Sequence, residues 1–588
     1  MIVQYGQTPQ TTPGVIVQVI PPQTNYLSPA ETDILGIVGT SVWGPVNAPV
    51  TCGGYADFSG KFGPQQNRAR DLGTAVAIAT QQGSQNQVCV RVTDGTDTAA
   101  SALVGVGTAT SAVVAGGTGY TTSSVVTLSN GAVINVTTVT AGAITAFTVA
   151  TQPTSEVTGA GAVTAVSASG GGTGATFTWT YAAGLGFTAT SKYTGSGANG
   201  DTVILAAGNQ VGTWKVSVFH AGLPVEVFNN LGLGLTGNAL WVAIAGAINA
   251  GTAARGPSQI ITAAAGTSTT APVAETAVLA GGTDGASGVT DTSLVGADTL
   301  PPTGMYALRK TGASVGMLAD CTTAATWPSQ VALGLSEGVY MIGVGPAGDN
   351  ITNAASTKSS AGVDSYAFKL LFGDWCYWLD AINNIQQRLV SPQAFVAGWI
   401  AANGPQQSSL NSPLNGIIAT QKSASNTVYQ TAELAQLETA GIDVIINPSP
   451  GGPYFAAAFG HNASSNGLIR GDNYTRLTNF IAATINEGLG PYIGQVQTAQ
   501  VQAEAKTELD AYFNDLASAT PPVISAADGS QPWLVVLDSS NNPPSQVALG
   551  RMQANVQVVY GSIIEQFLVN VEGGQSVRIT TVSTTSAV

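Results

Sequence analysis

The stretch VLDSSNNPPSQVALGRM, residues 536–552, is the most informative segment of this 588-residue chain for predicting its fold. Two strand-like segments and a polar tail follow it. Apolar side chains recur there at alternate positions, first within residues 566–572 and again beyond the glycine pair at 573–574: Phe567, Val569, Val571, Val577 and Ile579. We therefore expect a C-terminal part of the core over residues 521–572 and a C-terminal β arm over residues 573–588.

The amino terminus carries a similar signal. Val15, Val17 and Val19 share one face at period two, Ile16 and Ile20 lie on the other, and two prolines end the strand. A strand that is apolar on both faces and precedes every domain needs a neighbour to pair with. We predict an extended arm over residues 1–22.

The candidate site comprises eight of these positions: Val15, Val17, Val19, Phe567, Val569, Val571, Val577 and Ile579. Strands of both arms can add to the sheet edge of a neighbouring subunit. Main-chain hydrogen bonds would then supply the affinity, and pockets for alternate side chains would supply the specificity. Closure of a sheet within the same chain is the alternative for at least one arm.

The length and charge of the chain limit the classes of protein to which it can belong. A chain this long needs several domains. Only 9% of the residues are Asp, Glu, Lys or Arg, against about 25% in globular proteins, which suits large protein–protein contacts. The formal charge of −14 argues against a nucleic-acid partner, because that affinity needs clustered Lys and Arg.

The sequence predicts neither export nor membrane insertion. The first residues lack a basic start and an apolar run. Apolar stretches such as 241–250 are too short to span a bilayer, and residues 368–382 carry Lys369, Asp374 and Asp380. Four cysteines lie far apart without CxxC spacing, so we expect reduced thiols, with a bond formed after release from the producing cell as the alternative.

Composition divides the first half of the chain. Residues 23–97 are predicted to form the first part of an α/β core. Residues 98–186 contain one charged residue, Glu156, and alternate short apolar runs with glycine-rich turns, which predicts an inserted Gly/Thr-rich all-β module. Low-complexity disorder is the alternative, but the segment has aromatic residues to bury: Tyr120, Phe147, Phe177, Trp179 and Tyr181. A second inserted β-rich domain is expected at 187–300.

Residues 301–520 are predicted to form an α/β domain. A strand at 339–344, a helix at 430–439 capped by Gly441 and a strand at 442–446 favour a partly parallel sheet covered by helices. Helical spacing also predicts a helix that begins near Asn473 and ends near Gly488.

Motifs along the chain resemble those of contractile phage tail sheath proteins. The resemblance begins with TPGVIV (12–17), GIVG (36–39), WGPVNAPV (43–50) and the Asp57-Phe58 to Phe62-Gly63 segment. It continues with YTGSGANG (193–200), LAGGTDG (279–285), AGIDVI (440–445), YTRLTNFI (474–481), NEG (486–488) and the C-terminal stretch. The family's Trp-Gly-Ala-Arg-Thr-like segment is replaced here by FGHNA (459–463), so no role of that arginine carries over.

The resemblance implies an α/β (α+β) multidomain fold. It would have a sheath core of mixed sheet and helices built from both chain ends, inserted β-rich modules facing outward, and extended N- and C-terminal β arms. It also implies stacked hexameric rings around a tail tube protein, with baseplate and tail terminator proteins as further partners. The protein would assemble in the host cytoplasm and belong to the virion tail; a bacteriocin or secretion-system sheath is the related alternative.

No catalytic, cofactor or metal site is predicted. The GxGxxG match at 232–237 lacks the acidic residue that a dinucleotide site needs about 20 residues later. The GxSxG match around Ser314 lacks a suitably placed histidine, because His220 precedes it and His461 lies in a Gly/Asn/Ser-rich loop. No P-loop is present, so contraction would draw on energy stored in the lattice. A secreted or surface β-rich adhesin is the alternative function.

Overall fold

A computed structural model describes residues 2–4, 17–19, 27–105, 110–151, 161–180 and 185–569. The chain forms two compact units, one made of Met1–Leu27 with Leu489–Val588 and the other of Ser28–Gly488. In the first unit, strands β1 (Ile2–Gln4) and β2 (Val17–Val19) pair in parallel, with Ile2 opposite Val17.

The larger unit begins with part of a central sheet and two helices. These elements are β3 (Leu35–Gly39), β4 (Pro49–Cys52), α1 (Tyr55–Phe62), α2 (Leu72–Gln81) and β5 (Gln87–Arg91). Asp71 caps α2 by accepting a hydrogen bond from the Thr74 amide, which fixes where the helix begins.

The Gly/Thr-rich segment forms a β module with its own core. Its chain enters through β6 (Ser101–Val104) and then forms β7 (Thr110–Thr118), β8 (Val125–Leu128), β9 (Val133–Thr140), β10 (Ala143–Thr151), β11 (Val163–Ala168) and β12 (Thr173–Thr180). The last six make one sheet in the order β10-β9-β8-β11-β12-β7. Tyr120, Phe177 and Trp179 are buried in it. β6 pairs elsewhere, so the six-stranded sheet occupies a narrower range than the predicted 98–186.

A second module follows. It contains β13 (Phe187–Ser191), β14 (Thr202–Ala207), β15 (Trp214–Phe219), β16 (Glu226–Leu231), α3 (Gly237–Ala250), β17 (Ile261–Ala265) and β18 (Glu275–Val278). Two sheets, β17-β13-β6 and β16-β15-β14-β18, enclose its core. The short helix α4 (Asp291–Val295) follows and packs in the core of the central sheet. Buried Arg91 fastens the module to the central sheet, since its guanidinium donates to the carbonyls of Gly44, Thr194 and Asp284.

The chain then returns to complete the central sheet. It adds β19 (Val315–Leu318), α5 (Trp327–Glu337), β20 (Tyr340–Val344), α6 (Ile351–Ser360) and β21 (Phe368–Leu371). The order is β21-β20-β19-β3-β5-β4, with antiparallel β4 at one edge and the other strands parallel. Apolar clusters cover both faces, as expected for a parallel sheet.

Smaller elements complete this unit. They are β22 (Cys376–Asp380), β23 (Ile385–Val390), α7 (Gln393–Ala402), β24 (Ile417–Thr420), α8 (Gln421–Ala424), α9 (Thr431–Ala440), β25 (Ile445–Ile446), β26 (Ala456–Ala457) and α10 (Asp472–Gly488). Gly441 caps α9 in the left-handed conformation, as predicted. The strand predicted at 442–446 is reduced to β25, and α10 begins one residue before Asn473 and includes Gly488.

The rest of the smaller unit is a helix against a hairpin. It comprises α11 (Ala499–Ser518), β27 (Trp533–Val536), α12 (Pro544–Val547) and β28 (Asn555–Val558), with β27 and β28 antiparallel. The whole is a multidomain α/β (α+β) fold with inserted β-rich modules.

Candidate assembly surface and its anchor in the core

The predicted strand-exchange residues divide between described and undescribed parts of the chain. Val15, Val571, Val577 and Ile579 lie outside the described residues. Val17 and Val19 are the ends of β2, opposite Ile2 and Gln4. Phe567 and Val569 lie in residues 559–569, which follow β28 and have no assigned strand.

The stretch 536–552 forms the connection between β27 and β28. The Asn541 side-chain amide donates to the carbonyls of Val536, 2.7 Å, and Gln553, 2.9 Å. Buried Asn542 donates to the Gln553 carbonyl and accepts from the Gln553 amide at 2.7 Å. The two asparagines therefore clamp the end of β27 beside the start of β28 and fix the hairpin.

This hairpin leaves strand edges open. β27 and β28 form a two-stranded sheet, so each has an edge without a strand partner among the described residues. A cleft of about 490 Å³ separates α11 from β27; it is lined by Lys506, Asp510, Trp533, Leu534 and Val535 among others. An unpaired strand edge can accept a strand from another chain.

The residues after β28 expose a concentration of apolar side chains. Ile564 is 76% exposed, Phe567 and Leu568 are each 84% exposed, and Val569 is 60% exposed. Soluble subunits rarely present such runs unless a partner covers them. Exposure of consecutive positions means that both sides of the segment are available for contact.

A buried ionic cluster anchors α10 in the larger unit. Lys369 of β21 places Nζ 2.7 Å from Asp443 Oδ2 and 3.1 Å from Asp472 Oδ1, and none of the three side chains is exposed. Tyr340 donates to Asp472 at 2.5 Å, and Ser409 donates to the same carboxylate. The Asp443 carboxylate also accepts from the amides of the loop after β26, including Gly460.

The charged state of this cluster follows from its contacts. Burial alone would raise the pKa of Asp472, but Lys369 and the hydroxyls of Ser409 and Tyr340 outweigh it and hold this pKa below its usual value. Burial disfavours the Lys369 ammonium, yet the two carboxylates keep its pKa above the ordinary value. Lys369 and Asp472 therefore form an ionised, hydrogen-bonded pair that ties β21 to α10.

The same helix holds the segment that leads from the amino terminus. Arg476 Nη2 donates to the Thr32 carbonyl at 2.8 Å, and the Ala30 amide donates to Thr484 Oγ1 at 3.0 Å. Burial lowers the pKa of Arg476 to about 10. Hydrogen bonds thus hold residues 30–32, where the chain enters this unit, against α10, with which the chain leaves it.

The motifs weighed for catalysis have structural partners. Ser314 donates to the Thr32 carbonyl at 2.6 Å and precedes β19 instead of following a strand. His220 pairs with Asp201 at 2.8 Å and lies on the Trp43 ring. In the described part of the chain, no group of three or more His, Cys, Asp or Glu residues could hold a metal ion, and no helix has the length and apolarity to cross a membrane.

Sheath proteins are among the solved structures that resemble this chain. A sheath tail protein from Listeria innocua matches with a TM-score of 0.51 at 12% identity, over 87% of this chain and 90% of its own. A sheath tail protein from Desulfitobacterium hafniense has a TM-score of 0.49 at 13% identity, over 89% and 93%. The contracted sheath complex of an extracellular contractile injection system reaches 0.37 at 14% identity, over 45% and 71%. No protein-family model and no curated protein matches the sequence.

The Listeria structure assigns the fold. This chain has the fold of sheath tail proteins, which confirms, at the level of the fold, the resemblance seen in its motifs. Sequence reasoning found Asp443 and Arg476 within those motifs but missed their partners. The signal for Lys369 was its position in an otherwise apolar run; Asp472 lay one residue before the expected helix start.

Proposed function

We propose that this chain is a structural subunit of a contractile tail sheath. Copies would polymerise as a helix of six-fold rings around a tail tube, with baseplate and terminator proteins at the ends. A change in subunit packing would drive the tube through a host envelope. Heterologous contacts that do not close on themselves generate such helical assemblies.

The observation that carries this proposal is the incomplete terminal unit. A hairpin with open strand edges stands next to a run of exposed apolar residues that ends the described chain. Strands donated by neighbours would complete the hairpin sheet, and the exposed run of one subunit would be covered by another. The sheath fold of the chain supports the same interpretation.

We assign different roles in contraction to the larger unit and to the terminal arms. The larger unit would act as a rigid body, because buried Arg91 and the Lys369 cluster tie its parts together. The terminal arms would link subunits while these rigid bodies change their packing. No nucleotide chemistry enters this proposal; contraction would release energy stored in the extended lattice.

Negative-stain imaging of purified protein tests the proposal. We expect long hollow cylinders from the unmodified chain and dispersed particles from Phe567→Asp, since the substitution buries a charge in the subunit contact. Val211→Asp is the matched control, because Val211 is 96% exposed in the second module and should tolerate the charge. Dispersed particles from the unmodified protein, or cylinders from all three samples, would contradict the proposal.

A further inference from the structure

Two cysteines lie on one face of paired strands at the edge of the central sheet. In the antiparallel register of β4 and β5, Val50 is opposite Cys89 and Cys52 is opposite Gln87. Cys52 and Cys89 are therefore diagonal neighbours, and side chains two residues apart on a strand point to the same face.

The two thiols are enclosed together. Both side chains are fully buried in the same apolar cluster. Burial first, and then the neighbouring Cys52 thiol, raises the pKa of Cys89 well above its usual value. By contrast, Cys321 contacts Thr326 and Gln330, and Cys376 lies on another sheet.

The edge position gives these thiols a route to a reagent. β4 is a four-residue strand with one strand neighbour, β5, and three of its residues reach solvent in part. Edge strands of this kind open locally at much lower cost than the core of a sheet. Opening of β4 would expose Cys52 while β5 stays paired with β3.

We infer that Cys52 and Cys89 form an intramolecular disulfide when the folded subunit meets an oxidising small-molecule disulfide. The Cys52 thiolate attacks one sulfur of the reagent, which forms a mixed disulfide and releases one thiol. With β4 open, Cys89 contacts water and can ionise; its thiolate then attacks Cys52 Sγ and expels the second thiol. Two protein thiols are oxidised, the reagent is reduced to two thiols, and these carry the two protons. The chemistry needs only the folded subunit and is independent of sheath assembly.

The diagonal placement predicts a labile bond. Diagonal neighbours have Cα atoms roughly 7–8 Å apart, whereas disulfides rarely exceed about 6.8 Å. The two Cα atoms must therefore approach each other by about 1 Å, which requires a local distortion of the β4–β5 pairing. A strained bridge is easier to reduce than an ordinary structural disulfide, so the pair would respond to the redox state of its surroundings and staple the sheet edge when oxidised.

Peptide mapping after treatment of native protein with oxidised glutathione tests this inference. Trypsin places Cys52 in residues 1–61 and Cys89 in residues 71–91, and we expect these two peptides to be linked, with an intact-mass loss of about 2 Da. Reduced glutathione should separate them. Cys52→Ala and Cys89→Ala should each abolish the link, whereas Cys321→Ala and Cys376→Ala should retain it.

If a cysteine variant fails to fold, peptide mapping of the oxidised unmodified protein is sufficient to test the inference. The inference is overturned if native protein keeps four alkylatable thiols, if glutathione remains attached to Cys52 without bridging, or if another pair of cysteines is linked. Circular dichroism before and after oxidation ensures that the native state was tested.

Discussion

Lys369 and Asp443 meet at 2.7 Å between Nζ and Oδ2, with neither side chain exposed to solvent. The pair joins the last strand of the parallel sheet to the segment after α9, and Asp472 extends it to α10. A buried charge needs all of its partners, because loss of one leaves the others desolvated. The cluster thus ties β21 to two segments that carry quoted motifs, AGIDVI through Asp443 and the α10 helix that contains YTRLTNFI through Asp472.

Lys369→Met should destabilise the larger unit severely. Removal of one partner from a buried ion pair costs roughly 3–5 kcal/mol. Lys422→Met is the control, since Lys422 pairs with Glu433 at 2.8 Å near the surface, where such pairs contribute about 0–1 kcal/mol. Urea denaturation followed by tryptophan fluorescence compares the two. Similar midpoints for both variants would contradict the assigned role of the cluster.

We predict that Asp320, near the carboxyl end of β19, makes the stability of the folded protein depend on pH. Burial raises the pKa of Asp320 to about 6, against about 3.9 in unfolded chains. The folded state therefore binds this proton more tightly, and ionisation costs up to roughly 3 kcal/mol of stability above pH 6. That cost disappears as pH falls through 6 toward 4.

Asp320→Asn should accordingly raise the melting temperature at pH 7.5. Asparagine keeps an acceptor for the Arg70 amide and tolerates the left-handed backbone at this position, φ 53°. The difference from unmodified protein should shrink at pH 5, where the aspartate is largely protonated. An equal difference at both pH values would show that the effect does not come from ionisation.

The Gly/Thr-rich module should be removable only at the correct boundary. β6 pairs with β13, so residues 101–104 belong to the second module although they precede the insertion. We expect deletion of 106–184, with a short glycine linker, to leave a folded protein that polymerises. Deletion of 101–185 should lower the melting temperature further, because it also removes β6. Loss of assembly in the shorter deletion, with the remaining fold intact by circular dichroism, would make the module part of the lattice.

The sequence predicted elements whose signals are local. Gly441 as a left-handed cap and the period-two strands of the inserted module depend on neighbouring residues, and both agree with the structure. The stretch 536–552 could be recognised as important, but the clamp that Asn541 and Asn542 form with Gln553 is not visible as a pattern.

Contacts between residues far apart in the sequence could not be predicted from local sequence patterns. Lys369 and Asp443 are separated by 74 residues, and no periodicity connects them. β25 is shorter than its apolar run suggested, since Asp443 forms only a single bridge to Leu371 and uses its side chain for Lys369. The strand-exchange residues depend on neighbouring subunits, so their role stays a prediction.

Deletion of residues 1–22 tests whether the N-terminal arm links subunits. We predict that the truncated subunit keeps a melting temperature close to that of the full chain but forms no long cylinders in negative stain. Val17→Asp and Val17→Pro should do the same, since one introduces a charge into the contact and the other removes a ladder donor; Val211→Asp should assemble normally. A truncated subunit that melts far earlier would place the arm in its own core, and full-length cylinders from it would contradict strand exchange.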